Sequence, residues 1–88
     1  MQMSATDFVP LSSLASGAEA RIIEIRGGRG LARKLLALGL RVGSLLRVQH
    51  RRRRGVVVLS GATRIALGGG IADKVMVSIL PSADTQGA

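Results

Sequence analysis

Arginine is the residue type that offers this chain the most obvious chemistry. Arg51, Arg52, Arg53 and Arg54 follow one another, here called the arginine run, and eleven of the thirteen Lys and Arg residues fall between positions 21 and 54. The formal net charge is +8. Such a cluster favours an anionic partner, which could be nucleic acid, lipid headgroups or an acidic protein surface. The run could equally be a solvated hairpin tip, because a run of charge identifies no ligand by itself.

Side chains for catalysis or for metal binding are scarce. The chain has no Cys, one His and five acids, and no two of the acids form a sequence motif. Thiol catalysis, disulfides and thiolate metal sites are therefore excluded. His50 lies in an alternating segment, so a packing or hydrogen-bonding role is favoured over metal ligation, which draws several ligands together. We predict a protein that is not an enzyme, with no catalytic residue, no cofactor and no metal site.

The glycines at residues 27–30, Gly-Gly-Arg-Gly, invite comparison with loops that bind phosphate ahead of a helix. The dinucleotide motif needs a third small residue where Arg33 stands, and the triphosphate loop needs Gly-Lys-Ser/Thr. We interpret these glycines as a turn. Phe8 is the only aromatic residue, which also disfavours base stacking on nucleic acid and a groove for proline-rich peptides.

One helix is predicted, over residues 30–38. Leu31, Leu35 and Leu38 recur at i, i+4 and i+7 and form one apolar stripe, which we expect to be buried. Gly39 can adopt the left-handed conformation that ends a helix, and Leu40 would then return over Leu35 in a Schellman-type cap.

Five short strands are predicted around this helix, over residues 18–26, 44–51, 56–59, 63–67 and 75–80. A bulge is expected between Ile22 and Ile23, where the apolar alternation slips. We expect His50 on the face of Leu46 and Val48, Ile79 facing inward, and irregular backbone at residues 68–70. This pattern is typical of a mainly β fold, a small five-stranded barrel with one α-helix inserted between the first and second strands.

The length of 88 residues suits one domain. We place a flexible N-terminus at residues 1–10, the folded domain at 11–80 and a disordered tail at 81–88. No segment has the pattern of a signal peptide or a membrane span, so we expect a cytoplasmic protein that is not inserted into a membrane. Residues 56–59 or 75–80 could leave an exposed strand edge that pairs with another copy to form a homo-oligomer.

The arrangement of motifs resembles the FeoA family over roughly residues 11–80. Leu11, Leu14 and Gly17 are spaced three apart before the first strand, and Leu-Leu-Ala-Leu-Gly-Leu-Arg-Val-Gly at 35–43 ends the helix. Ile-Ala-Leu at 65–67 and Ala72 followed by Val at 75 and 77 complete the match. Members commonly carry proline where this chain has Val42.

The resemblance implies an SH3-like fold and a cytoplasmic accessory protein that supports ferrous iron uptake by contacting the cytosolic part of the transporter FeoB. It implies no catalytic residue, and although transition metal ion binding is a family-level property, no ligand set carries over to this chain. We predict that the arginine run steers an acidic partner. The predicted contact residues are Arg33, Lys34, Leu36, Leu40 and Arg41. The alternative is a small basic barrel that binds nucleic acid or another anionic partner.

Overall fold

Six short strands make up most of the regular structure in the computed structural model, which describes residues 8–80. The elements are β1 (Val9–Pro10), a 3₁₀ turn (Leu11–Ser13), β2 (Glu19–Ile25), α1 (Gly28–Ala37), β3 (Leu45–Arg52), β4 (Gly55–Ser60), β5 (Thr63–Gly68), α2 (Gly69–Ala72) and β6 (Val75–Ile79). The mainly β fold is confirmed, and α1 connects the first two of the long strands. The five predicted strands correspond to β2 through β6. The predicted disordered tail and residues 1–7 of the predicted flexible N-terminus lie outside the described residues.

The strands form one antiparallel sheet in the order β1-β6-β2-β3-β4-β5. The sixth strand, β1, was not predicted, because Val9 and Pro10 were placed in the flexible N-terminus; they pair with Val77 and Met76 of β6. The expectation of an exposed edge at residues 56–59 is wrong, since β4 is paired with β3 on one side and β5 on the other. Strand β6 is not an edge strand either, since it lies between β2 and β1, which covers Met76 and Val77. The edge strands are β1 and β5.

The core is aliphatic and receives side chains from every long strand, as the composition requires. It includes Ala20 and Ile22 of β2, Val48 of β3, Val58 of β4, and Val77 of β6, each fully buried. Ile65 and Leu67 of β5 also face inward, as predicted. Because all these strands contribute to one cluster, the sheet curves around a single core, and burial of this apolar surface is the main stabilising term.

Helix α1 ends as its sequence predicts. Gly39 has φ +95°, its N–H donates to the carbonyl of Leu36 at 2.9 Å, and the N–H of Leu40 donates to that of Leu35 at 2.8 Å. These two bonds form a Schellman motif. The predicted buried stripe needs one correction: Leu35 is fully buried and Leu31 packs against the core, but Leu38 is 42% exposed. Leu40 takes its place in the core because the left-handed residue reverses the chain.

Strand β3 carries a bulge that the alternation does not show. The register with β4 shifts between Val48 and His50, so Gln49 is the extra residue. His50 is consequently exposed rather than on the face of Leu46 and Val48. The bulge predicted in β2 is confirmed, since its register with β6 shifts between Ile22 and Glu24.

The segment from β5 to β6 also differs from its prediction. Residues 69 and 70 are helical rather than irregular, because the N–H of Asp73 donates to the carbonyl of Gly69 at 2.9 Å and closes the turn of α2. In β6 the three consecutive residues Val75–Val77 are buried. Ile79, expected to face inward, is 54% exposed at the end of the strand, beyond the two residues that β1 covers.

Candidate functional site

A groove of about 610 Å³ lies between α1 and the bulged half of β2, and the turn after α1 closes one side. We call it the α1–β2 groove. Its lining residues are Ile23, Glu24, Ile25, Arg29, Ala32, Arg33, Leu36, Arg41 and Val42. Three separate segments of the chain therefore contribute to one surface.

The helix contributes a second stripe, distinct from the one that faces the core. Arg29, Ala32, Arg33 and Leu36 stand at i, i+3, i+4 and i+7, so they share one side of α1. Leu35, on the core side, is buried, whereas Leu36 is 57% exposed. The helix thus has one face that stabilises the fold and another that is open to a partner. The spacing of these four residues is visible in the sequence, but the helix prediction used only the stripe of Leu31, Leu35 and Leu38.

Strand β2 contributes apolar side chains to the groove because of its bulge. Ile22 pairs with Val77 and Ile25 with Val75, and these partners are buried. The extra residue of the bulge, Ile23, is left half-buried in the groove. Ile22 and Ile25 are three residues apart, so without the bulge strict alternation would put them on opposite faces of the strand. The bulge lets both contact the core and leaves Ile23 on the groove side.

The turn after α1 contributes Arg41 and Val42, and backbone hydrogen bonds hold it against β2. The N–H of Gly43 donates to the carbonyl of Ile22 at 2.7 Å, and the N–H of Ile22 donates to the carbonyl of Ser44 at 2.9 Å. The N–H of Arg41 donates to the Ser44 hydroxyl at 3.0 Å. Gly43 has φ +100°, which favours glycine at this position. Val42 therefore lies in a fixed position next to the bulge, with 57% of its surface exposed.

The rim of the groove is positively charged. Arg29, Arg33 and Arg41 are all exposed around it. The carboxylate in the lining, Glu24, forms an exposed ion pair with Arg26, with Nε and Oε1 3.4 Å apart. That pair partly offsets its charge, so the three rim arginines dominate the local potential. The arrangement suits a partner with apolar side chains flanked by carboxylates.

The structure brings together three of the five contact residues predicted on and after the helix. Arg33, Leu36 and Arg41 line the α1–β2 groove, while Lys34 is exposed on α1 but outside the lining. Leu40 is a correction: it is fully buried, because the cap at Gly39 turns its side chain into the core, so it cannot contact a partner. Sequence reasoning missed the other lining residues. They are Ile23, Glu24, Ile25, Arg29, Ala32 and Val42.

The arginine run lies elsewhere, at the β3–β4 hairpin. Arg51 pairs with Val56 and Arg52 with Gly55, and residues 53 and 54 form the turn. All four arginines are exposed. The run therefore does not line the α1–β2 groove, although it was predicted to act with the helix residues.

Two further properties bear on the site. Within residues 8–80, no three His, Asp or Glu side chains come close enough together to hold a metal ion. In the same part of the chain, no helix has the length and apolar character needed to span a membrane.

The fold and the groove together define a small protein built on one curved antiparallel sheet, with an apolar groove beside its helix. Residues 9–79 match the FeoA domain family, and the chain belongs to this family. It is 32% identical over 68 residues to a candidate Fe(2+) transport protein A from Methanocaldococcus jannaschii, and the alignment covers 77% of this chain and 83% of the relative. The family is one of ferrous iron transport accessory proteins, not of enzymes.

Solved structures support the same assignment. The crystal structure of an iron uptake regulatory protein (FeoA) has a TM-score of 0.78 and 34% identity, and the match covers 83% of this chain and 99% of that one. A manganese-dependent transcriptional repressor has a TM-score of 0.80 at 22% identity, covering 90% of this chain and 45% of the repressor. The second likeness shows the fold alone. The expected SH3-like fold is confirmed by the likeness to the FeoA structure.

Proposed function

We propose that this chain is a cytoplasmic accessory protein of ferrous iron uptake that binds the cytosolic part of a FeoB-type transporter through the α1–β2 groove. Its family and its relatives support the iron-transport role. The single observation that supports the contact is the groove itself, where exposed aliphatic side chains are surrounded by three arginines. Exposed apolar surface with a charged rim is typical of a protein-binding site.

The two kinds of side chain have different roles in this contact. Leu36 and Val42, each 57% exposed, take up apolar side chains of the partner, and their burial supplies affinity. Arg29, Arg33 and Arg41 attract carboxylates, which raises the association rate and orients the partner. Lys34 is exposed on α1 outside the groove lining and adds only to the overall positive potential.

Charge reversal at the groove tests this proposal. Binding of the purified chain to the isolated cytosolic region of the transporter is measured by calorimetry for the wild type and for R33E/R41E. We expect Kd to rise at least tenfold, since two favourable charge contacts become repulsive. The matched control is R21E/R64E, which changes the net charge equally at two exposed strand residues outside the groove lining.

The control pair decides what a loss of binding means. If R33E/R41E binds as tightly as the wild type, the groove is not the contact surface. If both double variants weaken binding equally, only net charge matters and the groove is again rejected. A third variant, L36A, tests the apolar part: we expect roughly a tenfold higher Kd with unchanged circular dichroism, because Leu36 is exposed and contributes little to folding.

A further inference from the structure

One end of the barrel gathers basic residues that the α1–β2 groove does not use. The carbonyl of Arg54, in the hairpin turn, accepts a hydrogen bond of 2.8 Å from the N–H of Gly69, the first residue of α2. Helix α2 is one turn long and leads to Lys74, whose carbonyl accepts a 2.7 Å bond from the N–H of Arg26. The fold therefore places two distant basic segments at the two ends of α2. We call the set the basic end: Arg26, Arg51, Arg52, Arg53, Arg54 and Lys74.

The charges of the basic end are largely uncompensated. All six residues are exposed. Among residues 8–80 the ion pairs are Arg26 with Glu24 and Arg47 with Glu19, so neither involves the arginine run. Asp73, the acid next to α2, accepts a hydrogen bond from the hydroxyl of Ser12. A dense positive potential therefore faces solvent at this end.

The geometry of the hairpin favours a diffuse ligand over a shaped one. Arg51, Arg52 and Arg53 line one open cavity of about 310 Å³ together with Ser12 and Asp73, and Arg53 and Arg54 occupy the turn. No side-chain hydrogen bond within residues 8–80 holds any of the four in place. A small ligand needs polar groups that converge on one point. The acid Asp73 shares the cavity with these arginines and disfavours a small anion there, whereas exposed guanidinium groups without a fixed partner suit a surface whose charges can rearrange.

Nucleic acid fits this end less well than an anionic membrane does. Phe8 is the only Phe, Tyr or Trp residue of the chain. It lies immediately before β1, which pairs with Met76 and Val77 of β6. The basic end therefore has no Phe, Tyr or Trp ring on which bases could stack, and the ring next to it in the sequence is the exposed imidazole of His50. Clusters of four or more basic residues are recognised by acidic lipid headgroups through charge alone.

We propose that the basic end binds the anionic phospholipid headgroups of the cytoplasmic leaflet, by adsorption and without insertion into the bilayer. The proposal rests on the proposed function in one respect, since an accessory of a membrane transporter works within reach of that leaflet. The arginine run does not line the α1–β2 groove, whereas Arg26 pairs with Glu24 of its lining, so variants of the run and variants of the groove test the two proposals separately.

Vesicle co-sedimentation tests the proposal with the full chain. The vesicles contain phosphatidylcholine alone, or phosphatidylcholine with about one third phosphatidylglycerol, at about 0.15 M salt. We expect binding to the anionic vesicles only, and its loss at about 0.5 M salt. The variant R53Q/R54Q should lower the partition coefficient roughly 25-fold, about fivefold for each arginine. The control R21Q/R64Q removes the same charge from exposed positions on β2 and β5 and should lower it less than about threefold.

Several results would overturn this inference. One is equal binding to neutral and anionic vesicles, another is an equal loss in both glutamine variants, and a third is tighter binding to duplex DNA than to the anionic vesicles at the same salt. The groove variant R33E/R41E separates the two proposals. We expect it to lose the transporter while binding vesicles within a few-fold of the wild type. A chain that binds vesicles but never the transporter would refute the proposed function and leave the lipid site standing.

Discussion

Replacing Leu35 by alanine provides the most direct test of how α1 is attached to the barrel. Leu35 is fully buried, and its carbonyl accepts the Leu40 N–H that closes the helix cap. The neighbouring Leu36 is 57% exposed on the same helix. The two leucines are identical in chemistry and adjacent in sequence, so L36A is a matched control for L35A.

The two substitutions should differ widely in their cost to stability. Truncating a fully buried leucine to alanine costs about 2–5 kcal/mol, depending on how far the cavity collapses. The whole domain, at 88 residues, is expected to have a free energy of unfolding of about 4–13 kcal/mol. L35A therefore removes a large fraction of the stability. L36A should change it by no more than about 0.5 kcal/mol.

Urea unfolding followed by circular dichroism measures the difference. The chain has no Trp or Tyr, so intrinsic fluorescence offers no useful signal. With a slope of about 1 kcal/mol per molar urea, L35A should lower the midpoint by about 2 M or more, and L36A by less than about 0.5 M. If L35A fails to fold, L35M, which keeps the volume, should still fold with a loss below about 1.5 kcal/mol. Equal midpoints for L35A and L36A would refute the assignment of the two faces of α1.

Two further predictions concern the backbone and a surface ion pair. G39A should destabilise the fold by at least about 1 kcal/mol, because φ is +95° at this position. G30A lies inside α1 with open space where the new Cβ would stand, so it should stabilise the fold by about 0.5–1 kcal/mol. Urea midpoints of the two variants that move in the same direction would contradict this prediction. R47A removes the ion pair with Glu19, in which Nη2 and Oε2 lie 2.7 Å apart. The loss of stability should nevertheless be less than about 1 kcal/mol, and smaller still in high salt, because both side chains are partly exposed. Thermal unfolding at two salt concentrations checks this.

Under the proposed function, the two faces of α1 separate stability from binding on one short element. The core face and its cap hold the helix on the barrel, so substitutions there change the amount of folded protein. The groove face leaves Leu36 and two arginines open to a partner, so substitutions there should change affinity with little effect on folding. A loss of iron uptake in a variant can therefore be assigned to one cause or the other by measuring its stability.

Local features of the fold were predictable because they depend on residues close together in the chain. The end of α1 follows from Gly39, whose freedom at positive φ permits the cap, and from Leu40, which is the apolar residue the cap brings back. The β2 bulge follows from the slip in apolar alternation at Ile22 and Ile23. Nothing comparable marks the bulge at Gln49, because Val48 precedes it and His50 follows it without a slip in the apolar alternation. The exposure of His50 was accordingly mispredicted.

The sequence by itself determined the family, the aliphatic core, the single long helix and the excess of positive charge, since these depend on composition and on spacing within one element. Only the tertiary structure decided which residues share a surface. It buried Leu40, placed Ile23 and Val42 beside Leu36, and moved the arginine run away from the groove to one end of the barrel with Arg26 and Lys74. The physical reason is that strand order and chain reversals, not sequence distance, set which side chains meet.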